Sequence, residues 1–237
     1  MARTPMTGTL HERLGAAGAP LLDAVREHPF FAGLRDGSLP GGALLHFARQ
    51  DADFLLPAYG RALARCAALA HDHDHALVLT RMAVGTLEAR QAMALGYDLM
   101  AGELAADGDD SWRTRPADPA THAYTSFFGA ASAGSLAEGV GALLPCSWFY
   151  LSIADDLRER HDPGGRYASW VSALHPGEDY REVLEGFLAL VDDLGRSCSA
   201  EELVRLERNF AISARYEWSF VDAALRQLDW PIASMTS

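Results

Sequence analysis

Cysteine is scarce in this chain: Cys66, Cys146 and Cys198 are the only three in 237 residues, an odd number with no Cys-x-x-Cys spacing. That excludes a disulfide scaffold and fits free thiols in a reducing compartment. Positive charge is also in short supply, with 20 basic against 32 acidic residues and a formal net charge of -12. A surface of that sign argues against nucleic-acid and anionic-membrane partners. No apolar run is long and uninterrupted enough to be read as a membrane span, and the opening Met-Ala-Arg-Thr-Pro-Met-Thr-Gly lacks the apolar core of a signal peptide. The expectation is a soluble cytoplasmic protein. Strand-like alternation of apolar and polar residues is missing as well, and no flexible linker divides the chain, so the reading is a single all-α domain over 1–237. Residues 1–9 and 230–237 read as tails.

What is present is a succession of 3.6-residue periodic segments. A first helix is expected over about 11–27, interrupted near Pro20, then a short helical turn in His28-Pro29-Phe30-Phe31 and a breaker at Asp36-Gly37-Ser38-Leu39-Pro40. Helices follow over about 42–69 and 75–100. Between them, His71-Asp72-His73-Asp74-His75 could suggest a metal, but a surface loop with helix-capping aspartates accounts for it more simply. Residues 105–119, rich in Asp, Gly and Pro, form the longest loop. Helix is expected to resume around Ala120, with Tyr124, Phe127 and Phe128 on one side, and further helices over about 135–160, 166–173, 178–194 and 199–228, the last opened by a capping box of Ser199 and Glu202.

Three residues sit where this pattern does not want them. Asp51 falls among Phe47, Ala48, Phe54 and Leu55 on an apolar face, whereas Asp53 points elsewhere and is solvated. Glu217 continues the stripe of Leu203, Leu206, Phe210 and Ala214. Cys146 follows Pro145 within the charge-free run 139–154. Proline in a helix interior costs about 3 kcal/mol relative to alanine and leaves the Gly141 carbonyl without its amide partner. The helix therefore either kinks at Pro145 or restarts there, and only a restart places Cys146 where the helix dipole favours a thiolate. A cysteine alone on such a helix is most simply an inert core residue. Two carboxylates on buried faces change that reading, because an unpaired buried carboxylate costs several kcal/mol and must be paired or neutralised. A polar pocket that holds all three is a workable nucleophilic site, in which burial raises the pKa of whichever carboxyl acts as the acid. A structural ion-pair network could use the same positions. No histidine neighbours Cys146 in sequence, though His46 or His175 could approach it in the fold.

The chain resembles the TenA family of thiaminase II and aminopyrimidine aminohydrolases through five blocks in the family's order: Gln50-Asp51-Ala52-Asp53-Phe54-Leu55, Ala123-Tyr124-Thr125, Leu144-Pro145-Cys146-Ser147-Trp148-Phe149-Tyr150, Tyr167-Ala168-Ser169-Trp170 and Arg215-Tyr216-Glu217-Trp218-Ser219-Phe220. The resemblance implies a heme-oxygenase-like multi-helix bundle, assembled as a homotetramer, with no metal or organic cofactor and a small-molecule aminopyrimidine or thiamin as substrate. It further implies Cys146 as nucleophile, Glu217 as acid and base, and Asp51 as the carboxylate that binds the pyrimidine amino group and tunes the thiol. Tyr124, Tyr150 and Phe220 match residues that line or stack on the ring. Phe54 stands where many members carry tyrosine, and Leu174, beside His175, stands one turn after Trp170 where another tyrosine is common. The same fold hosts dinuclear-iron oxidases, but these need Glu-x-x-His spacings, and 213–220 holds no histidine. A silent pyrimidine-binding or regulatory protein is the other alternative, though no DNA-binding module is recognisable.

Overall fold

A computed structural model describes residues 8–104 and 116–232, and every regular element among the described residues is helical. The first half contains α1 (Leu10–Arg26), α2 (Pro29–Asp36), α3 (Gly41–Gln50), a π-helical turn (Asp51–Leu55), α4 (Leu56–Leu69) and α5 (His73–Leu104). The second contains α6 (Pro119–Ser132), α7 (Leu136–Arg160), α8 (Ala168–Leu174), α9 (Glu178–Ser197) and α10 (Ala200–Arg226). The caps explain the boundaries. Thr9, Ser135 and Ser199 each close a capping box with a glutamate three residues on. Asp72 accepts from the amides of Asp74 and His75, which bears out a capping aspartate in the His-Asp cluster, although α5 begins at His73 and so takes up part of the expected loop. Gly37 ends α2 at φ 80°, a conformation glycine adopts without steric cost.

Three expectations need correction. Pro20 lies inside a continuous α1, which is not interrupted there, and Pro145 inside a continuous α7, which rules out the restart of the two alternatives at that position. The expected helix over 42–69 is instead two α-helices joined by the π turn. Its i→i+5 bond, from the Leu56 amide to the Asp51 carbonyl, inserts one residue without disturbing the apolar face, so periodicity alone does not reveal it. Trp230, placed in a tail, is docked: its indole N–H donates to the Ala117 carbonyl at 2.9 Å and its ring meets His122 edge-on. Most of the expected loop at 105–119 lies outside the described residues.

Helix α7 organises the bundle. By length and composition it could cross a membrane, with a mean hydropathy of 1.3 over its most apolar window, which the sequence reading had denied to any segment. Yet 72% of that window is buried inside the protein. Its Val140, Leu143 and Leu144 join one core cluster with Leu63, Phe128, Phe187 and Leu206. Phe149, Ile153 and Leu157 join a second with Phe30, Leu34 and Val221. Cys146 lies between these two sets on the same helix.

Close approach is what fixes α10 against α7. A Cβ at Gly141 would collide with the Leu206 carbonyl and lie 2.9 Å from its Cα. Because the obstacle is backbone, relief requires the helices to part. Gly141→Ala is therefore expected to lose about 3 kcal/mol, the upper end for overpacking a core, read as a lower urea midpoint at an unchanged m-value.

Candidate active site

Cys146 projects from the middle of α7, far from either helix end, so no dipole assists its ionisation. It keeps part of its surface accessible, as do Asp51, Tyr150, Tyr180 and Glu217, although their helices are otherwise packed.

Helix α10 lies along α7 and brings Glu217 to hydrogen-bonding distance of the thiol. The Tyr124 hydroxyl, from α6, donates to Glu217 Oε1 and lies 2.9 Å from Ser213 Oγ, one turn before the glutamate. The Tyr124 ring stacks on Tyr216 at 5.1 Å and packs against Phe128 at 4.3 Å, which fixes the phenol from both sides. Burial pushes the Glu217 carboxyl up to about 7, against the opposing pull of hydrogen bonds from Tyr124 and Cys146. Burial likewise pushes the Cys146 thiol well above its ordinary value, and the nearby Glu217 and Asp51 carboxyls raise it further.

Asp51 is the first residue of the π turn. Burial, reinforced by the proximity of Glu217, raises its carboxyl to about 7. Pro57 follows the turn and has no amide to offer the Ala52 carbonyl five residues back; Arg90 Nε supplies that hydrogen bond at 3.0 Å. Asp53 faces outward, as the periodicity indicated, with Arg49 at 3.6 Å. Phe54 is half-buried on the same turn, and Phe220 is a core residue whose ring meets Phe47 at 5.3 Å.

Tyrosines complete the surroundings. Tyr150, one turn after Cys146, donates to the Leu174 carbonyl at 2.5 Å, so the position where a tyrosine is common contributes its main chain here. Tyr59 lies 2.5 Å from Ser147 Oγ and donates to the Leu143 carbonyl at 3.1 Å. Tyr180, on α9, meets the Tyr150 ring edge-on at 5.5 Å and donates weakly to the Ser147 carbonyl at 3.4 Å. Both Tyr59 and Tyr180 feel the charge of Cys146 and Glu217. Neither Tyr59 nor Tyr180 is marked out by its place in the sequence; a phenol within an apolar stripe is the signal that each carries.

The histidines are engaged elsewhere, His46 with Asp118 at 3.0 Å and His175 with Asp155 at 2.9 Å. Among the described residues, no three of His, Cys, Asp and Glu cluster closely enough to hold a metal ion. No basic side chain among the described residues figures in the charges that shift Cys146, Asp51 or Glu217. The result is a thiol in contact with one carboxyl and near another, both carboxyls able to exchange protons close to neutral pH.

A profile of the TENA/THI-4/PQQC family matches residues 17–227. The aminopyrimidine aminohydrolase of Bacillus subtilis strain 168 is 28% identical over 221 residues, covering 92% of this chain and 91% of the relative. The thiamine biosynthesis multifunctional protein ThiED of Corynebacterium glutamicum is 27% identical over 226 residues, which cover 94% of this chain and 28% of that longer protein. Among solved structures, a TenA homologue from P. horikoshii OT3 is 25% identical, with a TM-score of 0.74 over 92% of this chain and 99% of that one. A protein described as a TenA family transcription regulator from Silicibacter sp. TM1040 is 28% identical, with a TM-score of 0.72 over 92% and 97%. With its helical fold and nearly its whole described length matched, the chain belongs to the TENA/THI-4/PQQC family.

Proposed function

We propose that this protein is a hydrolase of thiamin salvage that cleaves the C–N bond at the exocyclic methylene of 4-amino-5-aminomethyl-2-methylpyrimidine, giving hydroxymethylpyrimidine through Cys146. The observation that carries the reading is the Tyr124 hydrogen bond to Glu217, with the Cys146 thiol close enough to that carboxyl for each to shift the other's ionisation and Asp51 beside them. Support for the substrate class comes from relatives named aminopyrimidine aminohydrolase.

The thiol is protonated in the resting site, so the nucleophile must be generated as the substrate binds. Glu217 takes the thiol proton while sulfur bonds to a ring carbon. The electron pair displaced into the ring expels the amine, and Glu217 returns its proton to the departing nitrogen. Water then adds at the methylene carbon, giving a proton to Glu217. The C–S bond breaks with its pair returning to sulfur, which Glu217 reprotonates. A carboxyl that titrates at about 7 suits this alternation, because neither protonation state is costly at neutral pH. Asp51 accepts from the ring amino group, while Tyr124, Tyr150, Phe54 and Phe220 flank the ring. With thiamin, the thiazole leaves by the same route. A homotetramer belongs to this reading, and exposed Leu77, Val84 and Leu87 offer α5 an apolar contact face.

Incubating the purified protein separately with the aminomethylpyrimidine and with thiamin, and following hydroxymethylpyrimidine by chromatography, tests the proposal. Product from either, faster from the amine, is the expected result; none from either moves the protein to a binding role. Because Glu217 must be ionised in the free enzyme, kcat/KM is expected to fall as pH drops below about 7. The limb belongs to the Asp51–Glu217 pair rather than to one residue, and a profile flat down to pH 5 would remove Glu217 as the base.

A further inference from the structure

Four polar side chains are buried together where α3 meets the start of α6: Gln50 at 1% exposure, Asp118 at 2%, His46 at 3% and Thr121 at 0%. Every one is satisfied. Gln50 Oε1 accepts from the Asp118 amide at 3.0 Å, and its Nε2 donates to the Pro116 carbonyl at 3.1 Å. Asp118 accepts from the Thr121 amide at 2.8 Å through Oδ1, and through Oδ2 it meets Thr121 Oγ1 at 3.2 Å and His46 Nε2 at 3.0 Å. A buried network of this kind holds one register, since a shift by a single residue leaves several groups unpaired in an apolar interior.

Its position gives that register a use. Gln50 is the last residue of α3 and Asp51 the first of the π turn. Asp118 caps α6, which presents Tyr124 to Glu217 less than two turns on. The network thus joins the backbone bearing one site carboxyl to the backbone bearing the phenol that holds the other. Arg90 secures the far side of the π turn through the Ala52 carbonyl, and Trp230 secures the Ala117 carbonyl between the two residues that Gln50 binds.

We infer that Gln50, Asp118 and Thr121 are positioning residues that set where Asp51 and Tyr124 stand relative to Cys146. The inference rests on the site reading above. Gln50→Met fills the same space and deletes both amide hydrogen bonds; Thr121→Val deletes only the hydroxyl bond and serves if the first variant does not fold. On protein shown by circular dichroism to be folded, Gln50→Met is expected to lower kcat/KM for the aminomethylpyrimidine at least tenfold, and Thr121→Val to lower it by a smaller factor. In an Asp51→Asn background the further loss should be at least threefold smaller, because much of the effect of Gln50 passes through Asp51. A second readout needs no substrate. Alkylation of Cys146 by iodoacetamide at pH 8, followed on its own peptide by mass spectrometry, is expected to speed up at least threefold in Gln50→Met, as it does in Asp51→Asn, with no further gain in the double variant. A lowered melting temperature with both rates unchanged, or equal factors in the two backgrounds, overturns the inference. If the wild-type protein turns over neither substrate, the functional reading fails alone and the alkylation arm still decides this one.

Discussion

Cys146→Ser protein is expected to keep the parent's thermal midpoint and to lose at least ~10³-fold of kcat toward the aminopyrimidine, the scale seen when a nucleophile is removed from a site whose groups act as a unit. The fold tolerates the exchange because oxygen for sulfur removes little volume at a half-buried position that already touches a carboxyl. Chemistry does not tolerate it. A carboxylate that titrates at about 7 can take a proton from a thiol as the adduct forms, but it is far too weak a base for a serine hydroxyl. Glu217→Gln is expected to lose ~10²–10⁴-fold through the missing proton relay. The double variant should be little worse than Cys146→Ser alone, since the relay has nothing to serve without the nucleophile. Steady-state rates of hydroxymethylpyrimidine formation and a melting curve check all three. Turnover retained in Cys146→Ser would eliminate covalent catalysis by this residue.

The same acids that suit the chemistry weaken the fold, and their removal should stabilise the protein in alkaline solution. The carboxyls of Asp51 and Glu217 ordinarily titrate at 3.8 and 4.5, and both are raised to about 7 in the folded protein. Between those limits the folded chain binds more protons than the unfolded one, so stability is fullest below about pH 4 in this term. It declines as pH rises to about 7 and is level above that. At about 1.4 kcal/mol for each pH unit, the loss at pH 8 is on the order of 4 kcal/mol for Asp51 and 3 kcal/mol for Glu217. Asp51→Asn is therefore expected to melt on the order of 10 °C higher than the parent at pH 8, given about 2–4 °C per kcal/mol for a chain of this size, and to match it at pH 4. Scanning calorimetry at the two pH values measures the difference. A midpoint lowered at pH 8 would mean that Asp51 has a cationic partner. Activity and stability then trade against each other at this position, as is common where a site is built from buried charge.

Much of this architecture is legible in residue order, for identifiable reasons. The helices announce themselves by period and by caps such as Ser199 with Glu202, because both are local. Asp51, Glu217 and Cys146 stand out because each interrupts an apolar stripe, and the structure brings the three together. The π turn at Asp51 stays hidden, since one inserted residue alters the hydrogen-bond register without altering which residues are apolar. Pro20 and Pro145 mislead because tertiary packing sustains helices that local propensity would end. Gln50 and Asp118 look like an ordinary helix-end glutamine and loop aspartate, and only the meeting of chain positions 68 residues apart reveals the network. Tyr59 and Tyr180 are missed for the same reason: a phenol's role depends on what lies across the bundle.

The dependence of α7 on α10 reaches back to the protein's synthesis. Helix α7 is the most membrane-like segment among the described residues, and its most extensive helix–helix contact among the described elements is with α10, which is translated last of the described helices. Until that helix emerges, the apolar flank around Val140, Leu143 and Leu144 has no Leu206 or Phe210 to cover it. A nascent chain stalled before 200 thus exposes a long greasy helix of the kind that aggregates or recruits chaperones. Glu217 arrives on the same closing helix as the missing half of the core, so the acid reaches the thiol only in a chain that has finished folding.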